Sequence, residues 1–207
     1  NIKKVVTMVS DYAPGADAEK SFSERFKAGG GTIVEAIKVP LANPDFAPFL
    51  QRAADAKPDS IFIFVPSGQG GTFMKQFAER GLDKAGIKII GPGDVTDDDL
   101  LPNMGDAVLG VVTAHMYSAD HPSAMNKKYV EAFTKANNVH PNFMSVGGYD
   151  GMQLIYESLK KTGGKADGDS LIGAGLRTRI RVKSGSRFRI RRVPCGRTRG
   201  ARVDSRR

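Results

Sequence analysis

Apolar residues along this chain follow two alternating rhythms. The run Val5-Val6-Thr7-Met8-Val9 is rich in β-branched residues and ends in a turn cluster, Ser10 to Gly15. Ala18, Phe22 and Phe26 then recur at helical spacing until Gly29-Gly30-Gly31 breaks the pattern. Thr32 to Ile37 predicts a second strand. Asn43-Pro44-Asp45 reads as a helix start: a capping Asn, a Pro in the first turn and an acid behind it. Phe46, Phe49, Leu50, Ala53 and Ala54 continue it with one apolar face. Ser60 to Val65 is continuously apolar, as a strand covered on both faces must be. A Gly-rich loop, Pro66 to Gly71, leads into a helix over about 72–80. Strands are predicted at Ile87–Ile90 and Val108–Val112, with the loop Gly91-Pro92-Gly93-Asp94 after the first. Two longer helices follow, over about 122–136 and 145–161. The second carries Tyr149, Met152, Ile155 and Leu159 on one stripe.

Strand and helix alternate, so the fold class is α/β: an open, mostly parallel, doubly wound sheet with extra C-terminal helices. Ligands on such sheets sit beyond the carboxyl ends of the strands. That draws attention to three loops: Ser10–Gly15, Pro66–Gly71 and Gly91–Asp94.

Charge divides the chain. Residues 177–207 hold twelve Arg, one Lys and one Asp, whereas residues 1–176 hold three Arg, fifteen Lys and twenty-one acids. The overall charge of +9 is therefore a property of the C-terminal stretch, and the front is mildly acidic. The front suits roughly one domain or slightly more. It contains no apolar run of the ~20 residues a membrane helix needs. No charged leader precedes the first strand, so no signal peptide is expected in this chain. The one Cys, Cys195, lies in the Arg-rich stretch, leaving the front without disulfides or thiolate metal ligands.

Several chemistries lack their residues. Gly68-Gln69-Gly70-Gly71-Thr72 stands where a phosphate loop would, but it has no Gly-Lys-Ser/Thr ending and Phe73 breaks the dinucleotide pattern. A phospho-acceptor domain needs Asp and Lys at strand ends that here read Val65-Pro66 and Thr113-Ala114. The acids Asp94, Asp97, Asp98 and Asp99 could draw a divalent cation, but they read better as a helix start or solvated turn. His115, His121 and His140 have no ligand spacing. No enzyme, metal or cofactor is expected.

Several stretches in order resemble the periplasmic substrate-binding proteins of ABC transporters, of the leucine/isoleucine/valine-binding type. They are Val5 to Gly15, Pro58 to Phe64 with its Gly-rich loop, Gly91 to Thr96, Tyr129 to Phe133, and Gly147 to Met152 within the order of elements just described. The resemblance covers about residues 2–174. It implies two similar lobes that close on a ligand between them, with this chain an internal fragment. Residues 1–116 would be the second lobe, and 117–174 the crossover and helices that belong with lobe one. The resemblance also implies contacts. Tyr12 would lie against the ligand. Gly93 and Asp94 would form the loop bearing an acidic contact, and Ser67 and Met144 would be polar and apolar contacts. Asp94 pointing inward would pair with a ligand ammonium; pointing outward it would cap a helix. The implied ligand is an amino acid or similar small molecule, the implied partner a membrane permease, and the implied location of the intact protein the periplasm (or a lipid-anchored extracellular site).

Residues 175–207 stand apart. The swing from Lys to Arg is abrupt, and it falls where the family pattern stops. A shifted reading frame through GC-rich DNA explains both, and such a stretch should be disordered. The rival reading is a regulatory ligand-sensing domain whose basic tail binds nucleic acid. No specific nucleic-acid partner is expected on the favoured reading.

Overall fold

A computed structural model of the chain describes residues 2–176, 180–181 and 187–188. Five strands, all parallel, form one sheet in the order β2-β1-β3-β4-β5. They are β1 (Lys4–Ser10), β2 (Thr32–Val39), β3 (Ser60–Phe64), β4 (Lys88–Pro92) and β5 (Val112–Ala114). Helices α1 (Ala13–Ala28), α2 (Ala47–Asp55) and α3 (Gly70–Glu79) connect the first four strands.

Alternation along the central strands sends side chains to two cores. Val6, Met8, Ile61 and Ile63 join Phe46, Leu50, Phe73 and Phe77 of the α2–α3 side. Val5, Val9 and Phe62 face α1, where Phe22 stacks on Phe62 with ring centres 4.0 Å apart. Covering both faces explains why β3 reads as an unbroken apolar run. The sheet order reverses between β1 and β3, and α1 and α3, which follow them, pack on opposite faces of the sheet.

Two predicted boundaries shift. Asn43 does not cap α2. It adopts a left-handed φ of 43°, and the helix begins four residues after it, where Asp45 Oδ1 accepts the Ala47 N–H at 3.1 Å. The last strand lies at 112–114 rather than 108–112. Gly110, at φ 83°, turns the chain, and residues 105–108 form a 3-10 turn. Further 3-10 turns span Gly93–Thr96 and Leu101–Asn103, so the acid run enters no long helix.

Beyond β5 come α4 (Ala124–Asn137), α5 (Phe143–Thr162) and α6 (Gly168–Leu176), the last unforeseen in the sequence. Ser123 caps α4 and Asn142 caps α5, each accepting a backbone N–H three residues on. Left-handed Asn138 and Gly163 end them. Tyr117, Tyr129 and Val146 form their own small core. In the Arg-rich stretch, Ile180–Arg181 and Arg187–Phe188 pair as two antiparallel strands. The expectation of disorder elsewhere in that stretch concerns residues outside those described. No described helix is long and apolar enough to cross a membrane.

Candidate functional site

The carboxyl ends of β1, β3, β4 and β5 gather on one edge of the sheet. A cavity of about 490 Å³ opens there, between the Gly93–Asp98 segment, the end of β5 and the start of α5. Its walls include Thr96, Asp97, Thr113, His115, Tyr117 and Phe143.

Gly93 sits buried at the turn out of β4, and a Cβ there would collide with the His115 ring. The missing side chain therefore lets β5 deliver His115 against the β4 loop. His115 in turn stands edge-on to Phe143, ring centres 4.4 Å apart, which ties the first turn of α5 to the sheet edge. Thr96 and Thr113 hydroxyls are 3.1 Å apart across the same junction.

Asp94 faces inward. Its carboxylate lies 3.9 Å from His115 Nδ1, an ion pair whenever that ring is protonated. Tyr12 stands at the N-cap of α1 in extended conformation, half-buried, its ring 6.3 Å from that of Phe64. Burial, with Asp94 as the second cause, holds the Tyr12 phenol above its ordinary range. The two expected contacts from the first and third loops thus share one electrostatic neighbourhood. Ser67 takes a different role from a free polar contact, because its hydroxyl donates to Asp97 Oδ2. Met144 is 62% exposed and lies outside the cavity wall; its neighbour Phe143 occupies the wall.

Sequence reasoning read Asp97 as part of a helix start or solvated turn, yet it is only 3% exposed. Burial chiefly, then repulsion from Asp99, Asp94 and Asp98, raises its pKa to about 7. Asp98 is raised too, mainly by burial, against the opposing effect of the Ala119 N–H that it accepts at 3.1 Å. Among the described residues no Lys or Arg lines the cavity, and His115 and His121 are the lining residues able to become cations. Among the described residues no three His, Cys, Asp or Glu converge as a metal ion would require.

The parallel sheet in the order 2-1-3-4-5, with a cavity at its carboxyl edge, agrees with the comparisons. The chain belongs to the periplasmic binding protein family, which matches residues 1–194. The Leu/Ile/Val-binding protein homolog 6 of Brucella melitensis is 44% identical over 176 residues, covering 84% of this chain and 45% of its own length. Among solved structures, an ABC-transporter solute-binding protein from Rhodopseudomonas palustris BisB5, in complex with 3,4-dihydroxybenzoic acid, is 71% identical with a TM-score of 0.86. That match covers 89% of this chain and 51% of the other. A second R. palustris solute-binding protein, in complex with 4-hydroxybenzoate, is 38% identical with a TM-score of 0.82, over the same shares. The chain spans about half the length of these relatives.

Proposed function

We propose that this chain carries one lobe and part of the other of the solute-binding component of an ABC importer, and that its ligand is a small hydroxylated aromatic acid. On this reading residues 1–116 are the second lobe and 117–174 the crossover and helices that pack on the first. The intact protein is periplasmic, delivers its ligand to a membrane permease and performs no catalysis. The observation that carries the ligand class is the 71% identity to a protein holding 3,4-dihydroxybenzoate.

The chemistry of the cleft supports it. A wall of carboxylates without Lys or Arg repels a ligand carboxylate, so that group belongs at the opposite lobe. The end facing this wall must donate hydrogen bonds, as phenol hydroxyls do to Asp94 or His115. Phe143 and Tyr117 supply ring surface in the cavity wall. An α-amino acid is the second reading, favoured by the name of the Brucella relative and by Asp94, which could take an ammonium. The regulatory, nucleic-acid-binding reading has no support among the relatives, which are transport binding proteins.

Calorimetry on this chain joined to the first lobe of the R. palustris BisB5 protein tests the reading. Heat on adding 3,4-dihydroxybenzoate, and none with leucine, is expected. Binding of leucine alone would overturn it.

A further inference from the structure

The cavity contains one feature that generic complementarity does not explain: an acid buried in its wall and already engaged by a hydroxyl. Asp97 follows the 3-10 turn Gly93–Thr96, and its backbone carbonyl accepts the Leu100 and Leu101 N–H groups, which fixes its position. Ser67, at the end of β3, donates to Oδ2. Oδ1 is then the oxygen left for the cavity that Asp97 lines. The groups around it are mostly acidic. Asp94, Asp98 and Asp99 come from its own segment and Asp120 from the loop after β5. The potential cations are His115 at the end of β5 and His121 beyond it, with His140 acting on Asp98. The Pro66–Gly71 loop contributes Ser67 and no charge.

We propose that Asp97 is a specificity-determining residue of this cleft: held by Ser67, it stays a carboxylic acid and donates its proton to the oxygen of a ligand hydroxyl. The proposal rests on the aromatic-acid reading above and names how this wall recognises it. A neutral acid both donates and accepts, and it adds no charge to an already acidic wall facing an anionic ligand. An ionised Asp97 could only accept and would favour a cationic group instead. A pKa near 7 agrees with a resident proton at neutral pH.

Binding must then weaken as the proton leaves. NMR titration of the 207-residue chain with 4-hydroxybenzoate, at about pH 6 and about pH 8, measures this even for the weak affinity of a half-cleft. Affinity is expected to fall about ten-fold across that range, and the fall to vanish in Asp97→Asn. The Asp97 carboxyl ¹³C shift in the unsubstituted chain gives a second readout that does not depend on the variant folding: added ligand should move its titration to higher pH. Equal affinity at both pH values, or a fall that persists in Asp97→Asn, overturns the proposal while leaving the aromatic ligand intact. Leucine binding that tightens as pH rises overturns both. No shift with 4-hydroxybenzoate at either pH also overturns the proposal, and calorimetry on the two-lobed protein then decides separately whether the ligand class stands.

Discussion

Asp97 sets an expectation for stability as well as for binding. In the unfolded chain it ionises near 3.8; in the folded chain it does so near 7. Below about pH 4 it is protonated in both states and costs nothing. Between those values the folded state holds a proton that the unfolded state has released, so this group lowers stability as pH rises, by up to about 4 kcal/mol. Asp98 acts in the same direction. Asp59, Glu157 and Asp167 are lowered instead, Asp59 and Asp167 chiefly by backbone N–H groups and Glu157 by Lys160, but all three are exposed and screened. Urea denaturation at about pH 5 and pH 8 should show the chain weaker at the higher pH. Asp97→Asn should be the more stable form at pH 8 and lose most of that difference. A variant less stable than the parent at pH 8 would mean that the ionised carboxylate is the form the fold needs. The sequence could not announce this residue. Three consecutive Asp look like a solvated turn, and only the approach of Ser67 and the covering loops removes the first of the run from water.

At the scale of elements, two glycines decide how closely helices approach a strand end and the turn after β4. A Cβ on Gly15 would overlap the Ser10 carbonyl at the end of β1, and one on Gly70 would overlap the Val95 carbonyl. Both overlaps are with backbone, which cannot swing aside. Gly15→Ala and Gly70→Ala should each destabilise by about 2 kcal/mol or more, with Gly70→Ala also displacing the Gly93–Asp97 segment. Gly71 meets nothing within 4 Å, and Gly71→Ala should change stability by less than about 1 kcal/mol. Thermal melts of the three variants check this, and equal losses would show that helix propensity rather than contact governs. Element identity was largely legible because it depends on local periodicity. The shift of β5 was not, because Val108–Val112 is as β-branched as a strand, and pairing with β4 selects Val112–Ala114 beyond the Gly110 turn.

At the scale of the molecule, the stripe on α5 stands about half exposed among the described residues. Tyr149, Met152 and Ile155 of that stripe, with Tyr156 next to them, are 43–53% exposed, and together with Tyr129 and Phe133 most of them border a second, apolar depression. On the proposed reading a first lobe covers this face. Alone, the chain should self-associate through it. Sedimentation velocity should show concentration-dependent association, weakened about ten-fold or more by Met152→Lys combined with Tyr156→Lys. Association unchanged by both substitutions would place the contact elsewhere. The stripe itself was plain in the sequence as spacing; its exposure was not, since periodicity marks an apolar face without saying what meets it.

The sequence by itself determined the α/β class, the three loops that matter and the family resemblance, because these rest on short-range periodicity and turn chemistry. It placed Tyr12, Gly93 and Asp94 on the relevant edge, since each closes a strand. Only the tertiary structure decided that Ser67 serves Asp97, that Met144 yields its expected place to Phe143, and that His115 stands against Gly93. Those relations join residues far apart in the chain, and they follow from which strands pair.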